Sequence, residues 1–297
     1  MTEQATTASA ARCRDTATLA AGRAAAASGV QIRGLTEIPD LQQVFELYGQ
    51  IWHPDPTNPP ITTEFLRALS HAGNYVAGAY RDGEMVGACV GFFAEPTGQA
   101  MHSHVAGVVA SMRGRNVGFA LKVHQRAWAL DRGISAITWT FDPLVCRNAY
   151  FNLAKLAGRP HSYLPDFYGK MNDQINGDDD SDRLLVEWRL ADPAVERACA
   201  GRHALADAAA LRADGVTVAL DADDGGMPVI AGPRGPKGDT LLIRVPPDIE
   251  AMRLEAGPHA RAWRAALRQV LGGLLAAGAE VTGFDRAGWY VVRKPRP

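Results

Sequence analysis

The chain has 297 residues, enough for one large or two modest domains. Apolar residues make up 47% and charged residues 21%, an ordinary balance for a globular fold, and a formal net charge of −1 removes the electrostatic case for a nucleic-acid partner. The four cysteines, Cys13, Cys89, Cys146 and Cys199, have neither zinc-site nor redox-pair spacing, so four reduced thiols and no metal are expected.

Residues 1–29 are rich in Ala and Thr, and they lack the continuous apolar core of a signal peptide. A disordered tail is expected there. No run approaches the roughly 18 apolar residues of a membrane span, so a cytoplasmic location without membrane contact is expected. A short strand is predicted at 30–33. Apolar residues at 41, 44, 45, 48, 51 and 52 have helical spacing, so a helix is predicted over 40–52. A loop with Pro54, Pro56, Pro59 and Pro60 follows. Thr62 opens a second helix, 62–70, with a capping signal. Segments 75–80 and 85–93 flank Asp82 and Gly83, which is the signature of a hairpin turn.

The next strand carries His102 and His104 and ends in small apolar residues, 105–109. Arg113, Gly114, Arg115, Asn116, Val117 and Gly118 come next. Phe119 and Ala120 then begin an amphipathic helix. A strand, a glycine-containing turn with two arginines and then a helix together build an anion cradle. Backbone N–H groups converge there, the helix dipole adds partial positive charge, and the arginines add full charges. The spacing fits neither a Walker loop nor a Rossmann fingerprint. Strands follow at 134–141, 163–168 and 184–190, with a helix at 147–156 and an acidic turn at 176–181. Asp192 and Pro193 mark a boundary, and 193–239 is loop-rich in Ala, Gly, Asp and Pro. A strand at 241–245, a long helix at 260–277 and a hairpin, 281–284 with 289–293, complete a β-α-β-β unit. Such a unit cannot bury both faces of its sheet alone, so it is expected to pack on what precedes it.

The loop Arg113-x-x-Asn116-x-Gly118 resembles the pyrophosphate loop of the GCN5-related N-acetyltransferase (GNAT) superfamily, with Asn116 where that family prefers glycine. Asn tolerates positive φ, so the turn can survive. The element order over residues 30–191 is also that of the superfamily. Segments 139–144, 147–152 and 164–169 resemble a little-characterised branch of predicted acetyltransferases, and some members of the broader group are associated with N-acylation of amino acids. The resemblance implies an α+β fold: a mixed, mostly antiparallel central sheet with helices on both faces, followed by the smaller C-terminal subdomain. It implies three parts: a tail 1–29, an acyltransferase domain 30–192 and a subdomain 193–297.

The resemblance also implies acetyl-CoA, or another acyl-CoA, as co-substrate. The loop from Arg113 to Ala120 would hold the pyrophosphate, and the backbone near Val108 and Val109 would pair with the pantetheine arm. Many members carry a general base on this strand, and counting back from Val108 puts His102 there. His104 shares its face and is the alternative. The usual acidic tyrosine is replaced by Leu153, which leaves Tyr150 one turn earlier, and Tyr163 and Tyr168 beyond the helix. Asn148 and Asn152 could bond pantetheine amides or face solvent. Asp142 could hold a substrate ammonium or cap a helix. Trp52 and His53 belong to the region that lines the acceptor pocket in the family. An N-acyltransferase acting on a small amine is therefore expected, and a homodimer is left open. The alternatives are an inert relative that binds acyl-CoA or a partner, and a changed reaction on the same fold.

Overall fold

The computed structural model describes residues 2–54, 59–169, 179–231, 238–255 and 258–295. Pro56, the start of the acidic turn at 176–178 and the glycine-proline segment 232–236 lie outside these residues. The chain divides into two compact units: residues 1–139 with 188–201, and residues 140–187 with 202–297.

Helix α1 spans Thr2–Ser28, where a disordered tail is expected from the sequence. Two properties of alanine explain the correction. It is the best helix former, and its small side chain lets a second helix approach closely. Ala17, Ala21 and Ala24 recur at helical spacing and are buried, and α1 packs on α4, Val117–Asp131. Strand β1 (Gln31–Gly34) leads into α2 (Ile38–Trp52) and α3 (Thr63–His71). The Thr62 hydroxyl accepts from the Phe65 N–H at 3.2 Å, as its capping signal predicts. Strands β2 (Tyr75–Arg81) and β3 (Glu84–Ala94) meet at Asp82 and Gly83, both at positive φ, 52° and 86°, as a two-residue hairpin turn requires.

Strand β4 (Ala100–Val108), α4 and β5 (Ala136–Phe141) follow. Then come α5 (Cys146–Ala149), which runs on as one π-helical stretch, Tyr150–Lys155, and strands β6 (Arg159–Leu164) and β7 (Arg183–Arg189). β6 ends earlier than predicted because Asp166 takes a left-handed turn conformation after Pro165. The seven strands form a mixed, mostly antiparallel sheet in the order β1-β2-β3-β4-β5-β7-β6. The fold is α+β, as expected.

The segment read as loop-rich holds α6 (Pro193–Cys199), α7 (Ala208–Ala213), β8 (Thr217–Ala222) and β9 (Pro228–Ile230). β10 (Thr240–Arg244), α8 (Ile249–Leu254) and α9 (Pro258–Leu267) come next. A π-helical stretch, Arg268–Gly272, then α10 (Gly273–Ala276), β11 (Glu280–Asp285) and β12 (Trp289–Arg293) finish the fold. The subdomain is thus a five-stranded sheet in the order β11-β12-β10-β8-β9, two strands richer than the β-α-β-β reading. Four of its strands, β8-β10-β12-β11, repeat the spatial order β4-β5-β7-β6. Both series open with a parallel pair, and both carry a π-helical stretch before the final hairpin. The echo lacks an anion cradle for a plain reason: β8 turns into β9, not into a helix.

Candidate active site

Two irregularities in β4 create the site. β3 and β4 pair in antiparallel register until Val90 faces Val105. The next partners are Gly91 and Ser103, so His104 is the extra residue of a β-bulge. On the other edge, β4 runs parallel to β5 only from Ala100↔Ala136 to His102↔Thr138. Beyond that pair the two strands share no further paired residues among those described. His102 therefore sits where the strands part.

His102 and His104 lie to one side although the bulge makes the strand irregular. Phe92 stands 5.3 Å from the His102 ring centre and 5.8 Å from that of His104, and the two imidazoles are 6.5 Å apart. His102 Nδ1 is 3.2 Å from the Thr138 hydroxyl. Burial, the His104 ring and the Lys122 charge together push His102 down to about 4, so its imidazole is neutral at physiological pH. Burial also lowers His104, and a hydrogen bond to the Pro60 carbonyl opposes that effect.

Trp52 ends α2 against the same strand. Its ring lies 5.0 Å from that of Tyr48, whose hydroxyl donates to the Val105 carbonyl at 3.4 Å. Gly107 is what admits it: a Cβ there would come within 2.7 Å of Trp52 Cη2 and 2.8 Å of Ile51 Cδ1. Gly107→Ala should therefore destabilise the first unit by about 1–3 kcal/mol through overpacking, read as a lower urea midpoint at unchanged slope. An unchanged midpoint would show that Trp52 moves aside freely. His53 caps α2 in the left-handed conformation, with φ of 45°.

Val108 and Val109 lead through a single 3-10 turn, Ala110–Met112, into the loop. Gly114 has φ of 79° and Asn116 φ of 60°. Two left-handed residues flanking Arg115 turn successive N–H groups to one side and form a nest. Asn116 is the N-cap of α4, so the N–H groups of the first helical turn, from Val117, Gly118, Phe119 and Ala120, fall beside that nest. Of these, Ala120 N–H is taken by the Asn116 carbonyl at 3.0 Å. A Cβ at Gly114 would meet nothing within 4 Å, and one at Gly118 only Val108 Cγ2 at 3.8 Å. Arg113 and Arg115 are exposed at its rim. An open nest with two exposed cations at its rim fits a diphosphate.

Asp142, Asn148, Tyr150 and Asn152 belong to the second unit. Asp142 is spoken for, which corrects the expectation of an ammonium ligand. Arg264 binds both carboxylate oxygens at 2.9 and 2.8 Å, and Arg253 Nη2 adds a contact at 2.6 Å. Asp179 completes the cluster, accepting from Arg253 Nη2 at 3.0 Å and from Arg264 Nη2 at 2.9 Å. Burial alone would raise the Asp142 carboxyl, but the two arginines hold it well below the usual carboxylate range. Asp142 also accepts from Leu144 N–H at 2.9 Å, a capping-type contact. Tyr163 donates to Asp182 at 2.7 Å, and burial and that carboxylate push its hydroxyl far up. Tyr150 is half-buried, with the Arg286 guanidinium 5.9 Å over its ring. Tyr168 shares a 3.0 Å hydrogen bond with Thr140. Asn152 is buried in the π-helical stretch, and Asn148 is half-buried in α5. Thr138, Phe92 and Lys122 are site features that sequence reasoning missed.

A parallel strand pair thus parts beside a bulge and leads into an N–H nest within one unit. Residues 41–149 match the family model described as Acetyltransferase (GNAT) family, so this segment carries a GNAT-family domain. Solved structures of similar fold include the ribosomal-protein-S18-alanine N-acetyltransferase of Escherichia coli, 12% identical, covering 54% of this chain and 94% of that one at a TM-score of 0.43. An N-acetyltransferase from Staphylococcus aureus Mu50 is 15% identical, with 54% and 98% covered at 0.43. A GNAT family acetyltransferase from Elizabethkingia anophelis with acetyl-CoA bound is 14% identical, with 54% and 98% covered at 0.41. No functionally curated protein matches the chain. The family supports acyl-CoA-dependent acetyl transfer as the general activity. No helix among the described residues is long and apolar enough to cross a membrane.

Proposed function

We propose that the chain transfers an acetyl or other small acyl group, succinyl included, from coenzyme A to the amine of a small molecule such as an amino acid. The observation that carries this reading is the place of His102 at the parting of β4 and β5, in the same unit as the Arg113–Gly118 nest. The thioester supplies an activated carbonyl. Arg113, Arg115 and the N–H groups of the loop hold the diphosphate, and the free edge of β4 towards Val108 and Val109 accepts the pantetheine amides. His102 removes the proton from the attacking amine as the C–N bond forms and the C–S bond breaks. With Leu153 in place of a tyrosine and Tyr163 committed to Asp182, the thiolate leaves without help from those positions, which its pKa near 8.5 permits.

Thiol release from acetyl-CoA and succinyl-CoA in the presence of pooled amines tests the activity. The donor site has its own test. Arg113→Glu with Gly118→Asp places negative charge and bulk in the nest, so calorimetric CoA affinity should fall at least about 100-fold. Unchanged affinity in the folded double variant rules the nest out. CoA binding without thiol release from any donor would favour the inert relative.

A further inference from the structure

Lys122 lies on α4 and is 4% exposed, yet no carboxylate reaches it among the described residues. Its three donors have three other partners: the Ser103 hydroxyl at 3.0 Å, Gln125 Oε1 at 2.7 Å and the face of Trp139 at 4.0 Å. Trp188 adds a second ring at 5.5 Å. Gln125 pays for this arrangement, since its buried Nε2 finds no partner among the described residues. The position matters as much as the contacts. Ser103 and Trp139 are the residues that directly follow the last β4–β5 pair, His102 and Thr138. The ammonium thus spans the apex of the parting strands, one residue from His102 on β4.

We propose that Lys122 is a positioning residue of this site, a buried cation without a counter-ion that braces the point where β4 and β5 part and keeps the adjacent His102 in its proton-accepting form. Among the described residues no carboxylate on its own face cancels the charge. Cys89 on β3 and Cys199 on α6 face it as thiols that burial holds protonated. Arg126, one position past Gln125 on α4, is itself a buried cation, bonded to the Leu190 carbonyl at 2.8 Å. On the other face of β4, His102 has His104, Phe92 and Thr138 for neighbours, none of them acidic. Burial lowers Lys122 to about 8, so the cation is present wherever an imidazole would titrate. This inference rests on His102 serving as the base of the proposed transfer.

The test is a histidine-labelled NMR titration of the full chain, which reads His102 whether or not any acyl transfer is detected. Lys122→Met should raise the His102 pKa by about half a unit to one unit, as expected of losing one full charge at high effective dielectric. Lys122→Arg, which keeps the charge, should leave it in place. The acidic limb of kcat/KM should move upward with it in Lys122→Met alone. If Lys122→Met does not fold, the unaltered protein decides: the His102 signal should show a second, small inflection where Lys122 loses its proton. An unmoved His102 pKa in folded Lys122→Met, an equal shift in Lys122→Arg, or no second inflection overturns the proposal. A shifted His102 in a protein that transfers no acyl group would instead refute the transferase reading and leave the electrostatic link standing.

Discussion

His102→Ala should lower kcat/KM by about 100- to 10,000-fold, the range a positioned general base contributes, with CoA affinity little changed. Two observations favour His102 over its neighbour for the proposed role. It sits at the last paired residue of the splitting strands and bonds Thr138, whereas His104 occupies the bulge and faces the Pro60 carbonyl. The pH dependence carries a sign. His102 is held down at about 4, so its base form persists through the ordinary imidazole range and the rate falls only as pH drops through the depressed value. A His102-dependent limb at 6.5 would contradict the desolvated site. His104→Ala is the internal control. Loss in that variant, with none in His102→Ala, would move the role to the bulge residue.

Arg264→Ala should destabilise the second unit by about 3–5 kcal/mol, because it leaves two buried carboxylates short of a cation. The side chains of Asp142, Asp179, Arg253 and Arg264 are all less than 10% exposed: 8%, 5%, 6% and 3%. Asp142 is ionised in the folded chain at pH values where the unfolded chain takes up a proton. Its contribution is therefore complete above about pH 5 and is lost as pH falls towards its depressed pKa. The gap between Arg264→Ala and the parent should narrow on acidification. Paired replacement, Asp142→Leu with Arg264→Met, should cost less than the sum of the singles. A gap that is flat with pH, or additive singles, would refute this account in denaturant melts. Truncation after residue 192 makes the same point more severely. It removes Arg253, Arg264 and Arg268 and strips Asp142, Asp179 and Asp182 of their cations.

The local features were legible in the sequence where one residue type does one local job. Thr62 capped a helix, Asp82 and Gly83 closed a hairpin, and Asn116 took the left-handed position at the end of the loop. Features set by distant partners were not legible. Asp142 looked available because its arginines lie 111 and 122 positions away. The bulge at His104 depends on the register of β3, which alternation within β4 cannot reveal. Lys122, Gln125 and Arg126 are polar residues on the buried stripe of α4, which an apolar periodicity does not single out. Helix α1 was missed because alanine carries little hydrophobic signal even when packed.

The second unit is discontinuous, since 140–187 is completed only by 202–297. During synthesis at roughly 5–20 residues per second, Asp142 waits on the order of 5–25 s for its arginines to be made. For that interval the carboxylates at 142, 179 and 182 must stay hydrated, and the strands that carry them cannot settle. The nascent chain can complete the nest and the His102 strand early, but its last sheet strands come to rest only near the end of translation.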